Sequence, residues 1–171
     1  MKRQARAFRR SSIAVLVTAC FAAESALSNP TNPQVVHGAA NFTNPAANVL
    51  NITTATPQTI INWGGFSIAA GELTKFLQPS AASAVLNRVI GSGGASAPSV
   101  ILGALQSNGR VFLVNPSGIV FGANAQVDVA GLVATSLNLS NADFLANRLK
   151  FTEVPGAGSV INQGNITTGQ G

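Results

Sequence analysis

The residues whose types could do chemistry are few and lie far apart in this sequence. His37 is the single histidine, and no Cys, Asp or Glu lies near it at the spacing of a metal site. Ser117 has no base available except His37, so hydrolysis by a serine nucleophile is not expected. Asp128 and Asp143 could pair as carboxylates, yet no pattern in the sequence places them together. We therefore predict no catalytic residue, no metal site and no cofactor.

Residues 91–96 read Gly-Ser-Gly-Gly-Ala-Ser and are the segment most like a phosphate-binding loop. The Lys-Ser/Thr pair that such a loop needs is missing. The composition instead predicts a flexible surface loop between two strands.

The tetrapeptide Asn115-Pro116-Ser117-Gly118 is the most specific local signal in the chain. Asn is favoured at the first position of a type I turn, Pro at the second and Gly at the fourth, and Ser fits the third. Two apolar runs flank it, 111–114 and 119–121. The pattern predicts strand, sharp corner, strand, with the side-chain oxygen of Asn115 capping the turn.

Composition points to an all-β protein. Hydrophobic residues make up 46% of the chain and charged residues only 9%, while 17 glycines and many Asn, Ser and Thr residues supply turns. Short apolar runs rich in β-branched residues alternate with these turn residues, which is typical of many short strands.

The net charge of +5 arises in a leader and not on a binding surface. Of the ten basic residues, five lie within the first ten positions, so the five that remain are balanced by the five acidic residues. No basic patch interleaved with aromatic residues remains beyond the leader. We therefore expect no nucleic-acid partner.

Residues 1–28 are predicted to be a secretory signal peptide, and residues 29–171 the exported domain. A basic start is followed by an apolar run that is too short to span a bilayer, and small residues permit cleavage between Ala22 and Asn29. Cys20, the single cysteine, excludes an intramolecular disulfide. Residues 17–20 loosely match a lipoprotein processing box, so a lipid-anchored surface protein stays an alternative.

Apolar pairs recur along the chain and predict stacked coils. We expect seven residues to point inward: Val111, Leu113, Ile119, Phe121, Val127, Val129 and Leu132. Inward ladders of this kind favour a parallel β-helix, although composition alone also permits a β-sandwich. Ser140 with Asp143 three residues later predicts the start of one short helix through Arg148. The chain stops at Gly171 without a polar cap, and so we expect a longer protein that is truncated here.

Four Asn residues match the N-glycosylation pattern Asn-x-Ser/Thr: Asn41, Asn51, Asn138 and Asn165. In a chain this rich in Asn and Thr, such matches arise by composition. They are predicted only as possible acceptor sites.

The sequence resembles the secretion domain of two-partner-secretion exoproteins, also called the haemagglutination-activity domain, which is typified by filamentous haemagglutinin and the high-molecular-weight adhesins. The matching stretches are 35–38, 60–63, 66–68, 76–79, 86–89, 101–103, 108–109, 111–119, 132–137 and 141–144. The resemblance covers residues 34 to the end. The family hallmark is Asn-Pro-Asn-Gly-Ile, and here Ser117 stands at its third position. The Asn-Pro-Asn-Leu motif is absent, which places the chain nearer to the high-molecular-weight adhesins.

The resemblance implies a right-handed parallel β-helix with an N-terminal β-cap. It assigns the secretion motif to residues Asn115, Pro116, Ser117, Gly118 and Ile119, with further matching positions at Asn62, Trp63, Asn87 and Arg88. It implies export through the periplasm of a Gram-negative bacterium to the cell surface or medium.

The implied partner is an outer-membrane β-barrel transporter with periplasmic POTRA domains. A host-cell or surface receptor would be bound by the missing C-terminal region. The implied function is a non-enzymatic secretion module that initiates β-helix folding during export. The alternative in another class is a secreted polysaccharide-active β-helix enzyme. Such enzymes usually carry an acidic cluster on one sheet face, and Asp128 is the one acid in the predicted β-helix body.

Overall fold

The structure is a computed structural model that describes residues 28–94 and 96–169. In this part of the chain short strands stack in parallel, coil upon coil, and form three sheet faces. The predicted signal peptide up to residue 27, with Cys20, lies outside the described residues. Among the described residues, no helix has the length and hydropathy needed to span a membrane.

Two antiparallel pairings form the N-terminal cap. β1 (Gln34–His37) pairs antiparallel with β4 (Gln58–Trp63), and β2 (Ala40–Ala46) pairs antiparallel with β3 (Val49–Thr54). The remaining strands of the coils are β5 (Leu73–Leu77), β6 (Ala84–Val89), β7 (Ser99–Ile101), β8 (Ala104–Val114), β9 (Ile119–Phe121), β10 (Gln126–Thr135), β13 (Val160–Asn162) and β14 (Asn165–Thr168).

Parallel register aligns equivalent residues of successive coils on each face. On the first face β3, β5, the start of β8, the start of β10 and β14 follow one another. On the second face β4 pairs with β6, β6 with the end of β8, and that end with the end of β10. On the third face β7, β9 and β13 are stacked. Parallel pairing between coils excludes the β-sandwich and confirms the predicted β-helix.

The interior of the coil is a continuous apolar core. Seven residues were predicted to point inward. Six of them are buried in this core, and the seventh, Leu132, is half-buried and packs against it. Trp63 is 0% exposed and contacts Phe42 and Phe66 edge-to-face, with ring centroids 5.8 and 5.5 Å away. The core therefore begins under the cap, at Trp63.

The second face is also apolar on its outer side. Its outward residues are covered by a segment between β10 and β13 that contains β11 (Asn138–Leu139), α1 (Asn141–Leu145) and β12 (Phe151–Thr152). Phe144 packs edge-to-face on Phe112 at 5.3 Å. Because both sides of this face are buried, its strands read as nearly continuous apolar runs.

The predicted helix cap is confirmed, and the predicted helix end is wrong. The Ser140 hydroxyl accepts a hydrogen bond from the Asp143 amide at 3.1 Å, as a capping residue does. The helix ends at Leu145 and not at Arg148. Asn147 adopts a positive φ of 52°, a conformation that stops the helix within its second turn.

The apolar runs and turn residues of the sequence also predict one strand over 100–105, breaks at Gly109 and Gly131, and no strand over 40–46. The structure differs at each of these places. The predicted strand 100–105 is two strands, because the amides of Leu102 and Gly103 both donate to the Ile68 carbonyl at a corner. Gly109 and Gly131 instead lie inside β8 and β10, where the chain bends from the first face to the second; the register shifts at the bend and the pairing resumes beyond it. β2 was missed because its Asn and Pro residues suggest turns.

Candidate functional site

The side chain of Asn115 is the centre of the predicted corner. It is 0% exposed. Its Nδ2 donates to the Ala97 carbonyl at 2.9 Å and to the Ser99 hydroxyl at 3.0 Å, and its Oδ1 accepts from the Ser117 amide at 3.0 Å. The predicted cap by the Asn115 oxygen is therefore present. The side-chain nitrogen Nδ2 also connects the corner to the preceding coil, a contact that the sequence did not predict.

The backbone of the tetrapeptide closes as predicted. The Gly118 amide donates to the Asn115 carbonyl at 3.0 Å, which is the hydrogen bond that defines a four-residue turn. Gly118 has a φ of 107°, a region that side-chain-bearing residues rarely adopt. A Cβ at Gly118 would also lie 2.9 Å from the Ser159 carbonyl oxygen. The turn therefore requires glycine for its conformation and for the space above it.

Ser117 holds a loop that the sequence predicted to be flexible. Its hydroxyl donates to the Ser96 carbonyl at 2.7 Å, and its oxygen lies 2.7 Å from the Ser96 hydroxyl oxygen. Ala97 is held in turn by Asn115. The serine that departs from the family hallmark thus makes a specific contact of its own.

The corner lies between two layers of backbone. Below it, the Ser99 amide donates to the Gly118 carbonyl at 3.0 Å. Above it, the Gly158 amide donates to the Pro116 carbonyl at 2.8 Å, and the Ile119 amide donates to the Ser159 carbonyl at 3.0 Å. Sequence reasoning missed Ser96, Ser99 and Gly158 as partners, because isolated Ser and Gly residues in loops give no signal of what they contact.

The four further matching positions form two side-chain pairs across the second face. Trp63 Nε1 donates to Asn87 Oδ1 at 2.9 Å, and Asn87 Nδ2 donates to the Phe112 carbonyl at 3.2 Å. Arg88 lies beside Asn62 in the parallel register, and its Nη1 is 3.4 Å from Asn62 Oδ1. The first pair lies in the buried interior and the second on the outer side. All four positions therefore connect β4 to β6.

Arg88 attaches the covering segment to the coil. Its Nη2 donates to the Leu139 carbonyl at 2.6 Å, while its buried Nε has no hydrogen-bond partner among the described residues. Burial lowers the pKa of Arg88 from its ordinary value, since desolvation disfavours the charged form. The guanidinium stays charged at neutral pH and contacts a carbonyl instead of a carboxylate.

The residues considered for chemistry are not brought together. His37 is exposed on β1, Asp128 is exposed on β10, and Asp143 is at the cap of α1. Within the described residues no group of three or more His, Cys, Asp or Glu side chains could hold a metal ion. The predicted acceptor residues Asn41, Asn138 and Asn165 are exposed and Asn51 is half-buried; their glycosylation stays a prediction.

The fold and the corner together define a β-helical module: a parallel coil with an antiparallel cap and a buried, hydrogen-bonded turn. The family model of the TPS secretion domain, the domain of two-partner secretion, matches residues 25–171. The chain belongs to this family.

Two curated relatives are heme/hemopexin-binding proteins of Haemophilus influenzae. One, from strain Rd, is 37% identical over 144 residues, covering 83% of this chain and 15% of the relative. The other is 33% identical over 153 residues, covering 88% of this chain and 16% of the relative. The chain therefore spans about a sixth of the length of the curated relatives it matches.

A solved structure gives the same result for the fold. The crystal structure of the HMW1 secretion domain from Haemophilus influenzae superposes with a TM-score of 0.76 at 35% identity, covering 83% of this chain and 37% of that chain. The chain is thus a secretion module of the kind found in large exported proteins. TPS domains are recognised by an outer-membrane transporter partner, and their exoproteins cross the outer membrane of Gram-negative bacteria.

Proposed function

We propose that residues 29–171 form a non-enzymatic module that is recognised in the periplasm by the POTRA domains of an outer-membrane β-barrel transporter. Residues 1–28 direct the chain across the inner membrane and are then removed. The exported protein reaches the cell surface or the medium, where any region that follows binds its host-cell or surface receptor. The family match over residues 25–171 supports this reading over a polysaccharide-active enzyme.

We further propose that residues 115–119 act as a secretion signal through the structure that they build. The observation that carries this proposal is the complete burial of Asn115, whose side chain makes three hydrogen bonds within the domain. A side chain in that position has no surface to offer a partner once the domain has folded. Trp63 and Asn87 are also 0% exposed and likewise offer no surface to a partner.

The names of the curated relatives describe binding of heme and hemopexin. That activity belongs to proteins several times longer than this chain. The one histidine of this sequence, His37, is exposed on an edge strand. We assign the secretion role to this domain and no heme site.

The test is export with and without the transporter. The chain is expressed with its signal sequence in a Gram-negative host, with the cognate transporter, with a transporter lacking its POTRA domains, or with none. We expect the chain in the medium or on the surface only with the intact transporter, and in the periplasm otherwise. Equal export in all three strains would contradict the proposal.

Intact mass of the exported chain tests the leader at the same time. Cleavage between Ala22 and Asn29 yields a product without Cys20. A product that begins at a diacylated Cys20 would instead support the lipid-anchored alternative.

A further inference from the structure

The segment between β10 and β13 leaves the coil and must return to it in register. In the preceding coil the chain passes from β8 to β9 through residues 115–118 alone. In the next coil the corresponding passage takes residues 136–159 and includes β11, α1 and β12. The last part of this passage, residues 153–159 between β12 and β13, contains no strand or helix, and a loop of that length permits several closures at similar cost, so it does not fix where β13 pairs.

The side chains of β13 do not fix its register either. Val160 pairs with the buried Ile119 and faces inward, while Ile161 pairs with Val120 and faces outward. Their exposed fractions are nearly equal, at 43% and 44%. A shift by one residue would exchange two apolar side chains of similar burial, so the hydrophobic pattern gives little preference between the two registers.

The Asn115–Gly118 corner makes backbone contacts that distinguish one register of β13 from another. The returning chain meets it through two hydrogen bonds, from the Gly158 amide to the Pro116 carbonyl at 2.8 Å and from the Ile119 amide to the Ser159 carbonyl at 3.0 Å. Gly158 lies so close that a Cβ there would overlap the carbonyl group of Ser117. No other residue type fits at this contact unless Ser117 moves.

Ser117 is held from two sides and has little freedom to move. Its amide donates to Asn115 Oδ1 at 3.0 Å, and its hydroxyl donates to the Ser96 carbonyl at 2.7 Å. Asn115 is itself held by Ala97 and Ser99 of the preceding coil. A continuous series of contacts therefore runs from one coil, through the corner, to the next.

We propose that the Asn115–Gly118 corner sets the register in which the β-helix resumes after residues 136–159, with Gly158 as the positioning residue that recognises it. The inference deepens the proposed function, because β-helix folding is the step that this contact guides. It names a role for the corner that is internal to the chain and needs no transporter.

The test is backbone amide exchange on the chain purified from the periplasm, without transporter. In Gly158→Ala we expect the Ile119 and Gln163 amides, which donate to Ser159 and Phe121, to lose at least about tenfold in protection. The Asn115 amide, which donates to Thr135, should stay within about twofold. Gly169→Ala is the matched control, since its Cβ would meet its nearest neighbour at an ordinary 3.9 Å. Unchanged protection at Ile119 and Gln163 in Gly158→Ala would overturn the inference.

If Gly158→Ala does not fold, a second variant tests whether the corner sets the register of β13. Two residues, Gly-Ser, are inserted after Gly156, which is exposed and has open space around its Cα. If the corner sets the register, the same amides stay protected despite the longer connection. Loss or displacement of that protection would show that the length of residues 136–159 sets the register instead. Neither exchange result depends on export, so this inference can fail while the proposed function stands.

Discussion

The side-chain amide of Asn115 reaches the backbone carbonyl of Ala97, in the preceding coil, at 2.9 Å. The hydrogen bond runs along the stacking direction of the β-helix, from one coil to the next, and not within one turn. A residue that looks like a local turn former thus also connects two coils. Its substitution should therefore affect the whole domain as well as the corner.

Asn115→Ala should destabilise the domain by roughly 1–3 kcal/mol, because the buried Ser99 hydroxyl, the Ala97 carbonyl and the Ser117 amide all lose a hydrogen-bond partner. Urea unfolding of the purified chain measures the loss. Export through the transporter should fall in proportion. Asn124→Ala is the control, since Asn124 is exposed at another turn and should change neither quantity.

Pro116→Ala should cost at most about 1 kcal/mol, since Pro116 restricts the unfolded chain and its one corner hydrogen bond uses a carbonyl that Ala keeps. We expect nearly normal export from this variant. Thermal melting and export are measured on the same preparation. Normal melting with abolished export would show that Pro116 contacts the transporter, and the structural account of the motif would fail.

Phe121→Ala should cost roughly 3–5 kcal/mol, because the ring is 1% exposed within the coil interior and its loss leaves a cavity. Its neighbour Val120, half-buried on the opposite side of β9, provides the matched substitution Val120→Ala. Val120→Ala should lower the free energy of unfolding clearly less than Phe121→Ala does. Equal midpoints for the two variants in urea would contradict the inward ladder.

Asn87→Ala should cost roughly 1–3 kcal/mol, because the buried Trp63 Nε1–H and the Phe112 carbonyl both lose their partner. A double-mutant cycle with Trp63→Phe isolates the pair. We expect a coupling energy of about 0.5–3 kcal/mol. Additive effects of the two substitutions would show that the hydrogen bond between them contributes nothing.

Acid should loosen the start of α1. Hydrogen bonds from Ser140 and then Arg148 hold the pKa of Asp143 below its ordinary value. A lowered folded-state pKa stabilises the fold above the unfolded-state value near 4, and this stabilisation is lost as the pH falls through the folded-state pKa. Below about pH 4, the Asp143 and Phe144 amides should therefore exchange faster relative to the rate expected for an unfolded chain at the same pH. Asp143→Asn should abolish that pH dependence, and a persistent dependence would assign it to another group.

The sequence alone determined the features that depend on local backbone chemistry. The hydrogen-bonded turn at residues 115–118 and the cap at Ser140 were predictable because each residue type is favoured by its own position. The inward ladder was predictable because side chains alternate along a strand, so the pairs Val111/Leu113 and Ile119/Phe121 must share a side.

Only the tertiary structure decided which coil each polar group contacts. Asn115 pairs with Ala97, Trp63 with Asn87 and Gly158 with Ser117, and the separations along the chain range from 18 to 41 residues. Local propensity carries no information about such pairs, because they depend on how many residues each coil takes up. The strand through Gly131 was mispredicted for the same reason, since pairing with β8 on both sides of the bend overrides the preference of glycine for a break.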